Sequence, residues 1–415
     1  MSERYWIETL GCPKNEVDSE KLVGTLDRDG MILADSPESA DLVVVNTCAF
    51  IEDARKESID VIYELNSIRN KNSELVVTGC LAERYGSDLK EALGEDVNAV
   101  SGFGVPVNLS SKPKVPAFDL LNLPRPASSQ PWGYVKVAEG CDRICGFCSI
   151  PSFRGPQRSR TVESVLSEIE MMELSEVVLV AQDLASFGKD QEGNHGILEL
   201  YNEVTKMVSW VRLLYLYPSS LNRHLIASIA GSAVPYFDLS LQHVSKSLLR
   251  RMRRWGNADK FSETIQQIRL LNENAVFRTN FIVGYPGETE EDHDDLLRFI
   301  EQNQIDWCGF FAYSLEEGTY ASGLEDHVDK TLVQERLIEL SELQDSITSI
   351  KRDSLIAQDI EVLIDEVGFA RSFREAPEID GIIRVPELLV PGQFATVKVI
   401  EATGTDLVAV IPQVV

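Results

Sequence analysis

Three apolar runs in the first eighty residues each stop at a cysteine. Tyr5-Trp6-Ile7-Glu8-Thr9-Leu10-Gly11 ends at Cys12, Asp41-Leu42-Val43-Val44-Val45-Asn46-Thr47 at Cys48, and Glu74-Leu75-Val76-Val77-Thr78-Gly79 at Cys80. A helix-like stretch follows each run, over about 15–29, 51–70 and 81–93. Strands alternating with helices imply a parallel sheet with right-handed crossovers. The C-terminal ends of such strands share one edge, and ligands bind there. Three cysteines far apart in sequence are therefore expected to meet. The competing reading is three small residues in tight turns.

A second group is compact. Cys141, Cys145 and Cys148 follow the alternating run Trp132–Val137 with C-x3-C-x2-C spacing. In a long chain without a secretory signature, cysteines serve as metal ligands or catalytic groups more often than as disulfides. Structural zinc normally takes four ligands, and this segment offers three. Three thiolates fit a four-iron cluster with one iron left open. Zinc or a purely structural trio is the alternative. The seventh cysteine, Cys308, lies in the apolar run Ile305–Phe311 and reads as core.

The strand–helix alternation marks residues 1–104 as a first domain. Residues 105–131 are rich in Pro and Ser and read as a linker. From 132 the alternation resumes, with strands expected at 132–138, 176–181, 211–217, 235–241, 276–283 and 306–313. Helices are expected near 161–173, 196–208, 221–230, 245–273 and 288–303. Six parallel strands with outer helices suggest a partial (β/α) barrel over 132–328, with its site at the strand C-termini. Residues 329–358 carry apolar residues at helical spacing. The remainder, 359–415, has short strands at 360–364, 381–385, 394–399 and 407–411, which suggest a small antiparallel β-barrel. The fold class is thus α/β, closed by a β-barrel. There is no internal repeat.

Charge narrows the partners. The 415 residues carry 39 Lys+Arg against 66 Asp+Glu, a net charge of -27. From 359 onward ten acids face four bases. Such a surface repels phosphate backbones and suits a basic partner, or it only maintains solubility. No run approaches the ~20 apolar residues of a membrane span, and the first residues lack a basic-then-apolar leader. A cytoplasmic location is expected.

These motifs resemble the radical S-adenosylmethionine methylthiotransferases over nearly the whole chain. The residues that carry the likeness are Leu10-Gly11-Cys12-Pro13-Lys14-Asn15 with Asp18-Ser19-Glu20, Asn46-Thr47-Cys48, Thr78-Gly79-Cys80, Glu139-Gly140-Cys141 through Ser149-Ile150-Pro151, Arg154-Gly155 and Arg158-Ser159-Arg160. Leu241-Gln242-His243-Val244 and Glu375-Ala376-Pro377-Glu378-Ile379-Asp380-Gly381 resemble the branch that modifies an aspartate of small-subunit ribosomal protein S-twelve. The tRNA-modifying branch usually carries Gln-Ser-Gly at the first of these places. The resemblance implies a central radical SAM barrel and a C-terminal TRAM barrel.

It further implies two [4Fe-4S] clusters and S-adenosylmethionine. Cys141, Cys145 and Cys148 would hold the cluster that generates a 5′-deoxyadenosyl radical. Cys12, Cys48 and Cys80 would hold a second, sulfur-carrying cluster. The product would be a methylthio group on the β-carbon of the aspartate. The implied partners are the basic ribosomal protein, alone or within the ribosome or its small subunit, an electron donor and a sulfur source, with no membrane and no dependence on tRNA. Phe147, Gln182, Asp183, Gly284 and Pro286 are the candidate cofactor-binding residues. Packing is the alternative for Phe147, a helix cap for Asp183 and a Gly/Pro turn for Gly284 and Pro286. Arg154 and Arg158 stand either as binders of a cofactor carboxylate or as surface pairs. Arg250–Arg254 stands either as an RNA grip or as a solvated helix face. No residue beyond the cluster ligands is assigned catalysis. The rival functions are a tRNA adenosine methylthiotransferase, a non-enzymatic iron–sulfur carrier, and a radical enzyme using its second cluster for electron relay.

Overall fold

A computed structural model describes residues 3–103, 120–193 and 196–412. Residues 105–119 of the expected linker lie outside them, and 120–131 are described, with Leu120 packed in an apolar cluster of the N-terminal sheet. In the first hundred residues, strands β1 (Arg4–Thr9), β2 (Ile32–Leu33), β3 (Leu42–Thr47), β4 (Glu74–Gly79) and β5 (Ala99–Val100) form a parallel sheet in the order β2-β1-β3-β4-β5. Helices α1 (Pro13–Arg28), α2 (Glu52–Ile68) and α3 (Cys80–Leu93) cross between the strands. β3 is buried at every residue, as a central strand covered on both faces must be. Its Val43 and Val45 join one apolar cluster while Leu42 and Val44 join another, one for each face.

The chain continues through β6 (Trp132–Lys136), β7 (Ala138–Glu139), α4 (Ile150–Arg154), β8 (Arg158–Ser159) and α5 (Val162–Met172). Next come β9 (Glu176–Val180), α6 (Ile197–Val204), β10 (Trp210–Leu213), α7 (Arg223–Ala230) and β11 (Tyr236–Gln242). They are followed by α8 (Lys246–Arg251), α9 (Ala258–Leu271), β12 (Val276–Val283), α10 (Glu290–Asn303), β13 (Trp307–Ala312) and the long α11 (Lys330–Asp353). Two three-stranded sheets, β10-β9-β6 and β11-β12-β13, are joined by a parallel bridge between Leu216 and Leu239. The six expected strands therefore form one arc, and no pairing among the described residues closes β6 onto β13.

The chain forms two compact units. The first comprises 1–127, 136–168 and 314–319; the second comprises 128–135, 169–313 and 320–415. The first unit thus holds the N-terminal sheet together with the short β7–β8 ribbon and the Cys141–Cys148 loop. The second holds the strand arc and a closed C-terminal barrel of β14 (Asp359–Glu366), β15 (Phe369–Arg371), β16 (Ile383–Arg384), β17 (Phe394–Thr403) and β18 (Asp406–Val410), ordered β14-β15-β16-β18-β17.

Several expected elements differ. The helix expected over 245–273 is two, because Arg253 adopts a left-handed backbone (φ 55°) and Asn257 caps a new start by accepting from the Lys260 amide. The strand expected to run to 217 stops at Leu213, before left-handed Tyr215 (φ 66°). In the terminal barrel β16 and β18 pair in parallel, so the barrel is antiparallel at its other four contacts. Two- and three-residue strands such as β5 and β15 are too short to show a period.

Within the second unit, buried charge fastens the terminal barrel to the arc. Glu176 on β9 accepts from Arg212 on β10 at 2.9 Å and from Arg371 on β15 at 2.7 Å, and Arg371 also pairs with Asp365 at 2.7 Å. Glu375 pairs with Arg352 of α11. Asp380 accepts from the Tyr236 hydroxyl at 2.6 Å and the Ala376 amide at 2.8 Å, beside Arg278. Three of the ten acids of the tail, Asp365, Glu375 and Asp380, therefore serve inward pairs.

Glu176→Gln removes the carboxylate that two buried guanidinium groups share, leaving Arg371 its pair with Asp365 but Arg212 without its ion pair. The expected loss is about 3–5 kcal/mol of stability, read as a lower urea midpoint. Burial, against the opposing pull of Arg278, pushes the Asp380 carboxyl up to about 6. Because that folded value exceeds the unfolded one, near 3.9, the group's contribution to stability is present below about pH 4 and is lost as pH rises through 6. Relative to Asp380→Asn, the unsubstituted protein is expected to lose about 2 kcal/mol of stability between pH 4 and pH 7. Urea titrations of both proteins at the two pH values measure it.

Candidate active site

Parallel register fixes where the first three cysteines must lie. Thr9 of β1 is level with Asn46 of β3, and Thr47 of β3 with Gly79 of β4. The residues just beyond, Cys12, Cys48 and Cys80, leave the same sheet edge. Cys12 is the N-cap of α1 and Cys80 the first residue of α3. The approach is tight: a Cβ on Gly11, whose φ is +98°, would stand 2.9 Å from the Cys48 sulfur. Asn15 laces the edge by donating to the Leu10 carbonyl at 2.9 Å and the Thr47 carbonyl at 3.0 Å. The Ser58 hydroxyl binds both the amide and the carbonyl of Cys48.

The three thiols feel one another. Burial pushes Cys48 up to about 11, and Cys80 and Cys12 add to the rise. Burial also raises Cys80, against Arg154. Burial opposes ionisation of Cys12 as well, but Lys14 and Arg154, with the amides of Asn15 and Lys14, outweigh it and lower that thiol. Three sulfurs gathered at a buried edge favour a cationic centre that neutralises thiolate charge. Among the described residues no group of three His, Cys, Asp or Glu is drawn together as for a single metal ion. Three thiols on one sheet edge, with Lys14 and Arg154 beside them to offset thiolate charge, are a donor set of the kind a four-iron cluster takes.

The second trio occupies a loop tied at its base. β7 pairs with β8, and the Cys141 amide donates to the Gly155 carbonyl at 3.1 Å. Inside the loop the Cys148 amide donates to the Cys145 carbonyl at 3.2 Å. Phe147 is half-buried there. The short helix α4 then ends on Arg154, which is 5% exposed rather than a surface pair. Its guanidinium donates to the Cys80 sulfur at 3.0 Å, to Asn15 Oδ1 at 2.8 Å and to both Glu139 oxygens at 2.9 Å. Glu139 also pairs with Lys136, which reaches Asp18 at 2.6 Å. Burial opposes the charge on Glu139, yet Arg154 and Lys136 hold its carboxyl far below the usual range.

The other candidates lie in the second unit. Asp183 precedes a short turn of helix and accepts from the Ser186 hydroxyl at 2.7 Å, a side-chain contact and not a cap of a backbone amide, and Gln182 beside it is half-buried. The close approach that Gly284 permits at φ +79° is to α11: a Cβ there would stand 2.3 Å from Val333 Cγ2. The Pro286 carbonyl accepts from Arg251 at 2.9 Å. A cavity of about 840 Å³ adjoins this turn at Gly287 and Glu288, without reaching Gly284 or Pro286. Arg251 donates to the turn and Arg253 stacks on Tyr320, while Arg250 and Arg253 stay exposed, as the solvated-face reading expects of them. His243 is fully buried and held neutral, its value lowered to about 4 by burial. Cys308 sits on β13 with its thiol raised by burial.

Glu139 and Lys136 are the site residues that sequence reasoning left without a role, and Arg154, weighed there as a carboxylate binder or a surface pair, is buried against Cys80. A lysine within the otherwise apolar run Trp132–Val137 was the available signal, because a strand buried along its length tolerates a charge only if it is paired.

Comparison with known proteins bears on the whole chain. Residues 4–102 match Uncharacterized protein family UPF0004, 135–300 the Radical SAM superfamily, and 356–411 the TRAM domain. The fold resembles the radical S-adenosylmethionine methyltransferase TsrM from Kitasatospora setae, with TM-score 0.50 and 13% identity over 94% of this chain and 82% of that one. The ribosomal protein uS12 methylthiotransferase RimO of Aquifex aeolicus (strain VF5) is 40% identical, covering 97% of this chain and 95% of its own. The RimO protein of Caldanaerobacter subterraneus subsp. tengcongensis is 39% identical, covering 97% and 98%. With the same three domains in the same order and likeness of that depth along nearly its full length, this chain belongs to the RimO family of radical SAM methylthiotransferases.

Proposed function

We propose that this protein transfers a methylthio group to the β-carbon of an aspartate in ribosomal protein uS12. The observation that carries the reading is that two cysteine trios share the first compact unit, and the short helix after the second trio sends one side chain to the first. Arg154, six residues beyond Cys148, donates to the sulfur of Cys80. In this reading Cys141, Cys145 and Cys148 hold one [4Fe-4S] cluster and Cys12, Cys48 and Cys80 a second, each trio leaving one iron without a protein ligand. When bound, the clusters and S-adenosylmethionine supply the carbon-centred radical and the sulfur of the transfer. The chain's own residues hold the two sets of ligands, bury them, and neutralise their charge through Arg154 and Lys14.

Residues 1–104 would provide the sulfur-carrying domain, 132–328 the radical domain and 359–415 the barrel that meets the substrate. Phe147, Gln182 and Asp183 remain candidates for cofactor contact. Gly284 and Pro286 are proposed to act by shaping their turn. Six acids of the tail, Asp359, Glu361, Glu366, Glu378, Glu387 and Glu401, are exposed against two exposed bases, Arg384 and Lys398. The acidic excess survives the inward pairs, which favours a basic protein over tRNA. Among the described residues no helix is long and apolar enough to cross a membrane; a cytoplasmic location with an external electron donor and sulfur source fits this reading.

Anaerobic reconstitution with iron, sulfide, reductant, S-adenosylmethionine and the basic uS12 protein is expected to give a mass gain of one methylthio group in place of one hydrogen. Cys141→Ala should abolish both that product and 5′-deoxyadenosine. Cys48→Ala should abolish the product and retain reductive cleavage, with about four irons per chain against about eight. Methylthiolation of tRNA with none of uS12 would overturn the substrate, and unchanged iron in Cys48→Ala would overturn the second cluster.

A further inference from the structure

Arg154 is placed to do more than fill space. It is the last residue of α4, buried, and its two terminal nitrogens serve different partners. Nη1 lies between the two oxygens of Glu139, at 2.9 Å from each, with Asp18 at 3.5 Å. Nη2 divides between Asn15 Oδ1 and the Cys80 sulfur, at 2.8 and 3.0 Å. The Phe103 ring lies 4.2 Å from the guanidinium carbon. A buried guanidinium whose Nη1 is shared between both oxygens of one carboxylate, with a second carboxylate near, has little freedom to swing. Its other side is therefore aimed at a sulfur.

We infer that Arg154 is a positioning residue that sets the reduction potential of the N-terminal cluster through its hydrogen bond to Cys80. This rests on the proposed assignment of Cys12, Cys48 and Cys80 to that cluster. A donor on a ligand sulfur, and a fixed positive charge nearby, both stabilise the more negative, reduced state; hydrogen bonding to sulfur and net charge are established determinants of cluster potential. Glu139 works oppositely, because its carboxylate offsets the charge of Arg154. The pair therefore makes predictions of opposite sign. Lys136 and Asp18 extend the network, and the ion pair between those two is retained when either Arg154 or Glu139 is changed.

The test uses the full chain carrying Cys141→Ala, Cys145→Ala and Cys148→Ala, so that the N-terminal cluster is the one loaded. Iron content comes first: about four irons per chain support the cluster assignment, and none overturns that reading. The midpoint potential is then measured by electron paramagnetic resonance during redox titration. Arg154→Met is expected to lower it, Arg154→Lys to lower it less, and Glu139→Gln to raise it. Equal potentials in all four proteins at full iron occupancy overturn the role of Arg154, as does a shift of Glu139→Gln in the same direction as Arg154→Met. Loss of iron from Arg154→Met with unchanged circular dichroism also overturns it, because the residue would then serve assembly rather than potential. If Arg154→Met fails to fold, Arg154→Lys and Glu139→Gln decide by the sign of their shifts.

Discussion

The first unit is organised around a charge that would be prohibitive alone. Arg154 and Lys136 are buried cations, and Glu139 and Asp18 are buried anions. Removing any one of them from water costs several kcal/mol before pairing. The four lie on α1, β6, β7 and α4, and are held in alternating sign, so each desolvation cost is offset by a neighbour. This arrangement demands that the sheet edge, the helix after Cys12 and the loop after Cys148 keep their relative placement. A hydrophobic core alone would allow those pieces to slide. The consequence is functional, because the same arginine that closes the network has a nitrogen to spare for Cys80.

The second unit uses the same device for a different end. Glu176 receives two arginines from different parts of the fold, and Glu375 and Asp380 face inward toward Arg352 and Arg278. The segment from Glu375 to Gly381, whose residues resemble those of the protein-modifying branch, therefore supports the terminal barrel. Pro377 contributes through its backbone, accepting from the Tyr134 hydroxyl at 2.9 Å. A motif that marks a subfamily can do so by setting where a domain is held, without touching substrate.

What could be read from the residues follows from period and spacing. Three runs ending in cysteine were legible because a buried strand is a continuous apolar stretch and a parallel sheet has a shared edge. The six-strand arc was legible for the same reason. The break between α8 and α9 was not, since a left-handed Arg253 carries no residue signature. The parallel pairing of β16 with β18 was equally hidden, because direction is decided by the path of the connection and not by the strand's own residues. The place of Arg154 was missed because a single arginine reads the same on a surface and in a buried fork. Only its partners Glu139 and Asn15, distant in sequence, distinguish the two.

Counting charges along a sequence treats every acid as though it faced water, and the C-terminal barrel shows why that overstates the case. Asp365, Glu375 and Asp380 are neutralised internally, and the field at the surface comes from the exposed remainder. That remainder is still acidic, but at physiological salt its reach is about 8 Å. Attraction of that range raises the rate of encounter with a basic protein and discourages phosphate backbones. It does not choose one aspartate among many. Selection of the reacting carbon must fall to short-range contacts near the two cysteine trios, where Arg154 and Glu139 fix the scaffold to within a hydrogen bond. Surface charge and buried charge therefore divide the task, the first bringing a partner near and the second holding still the groups that act on it.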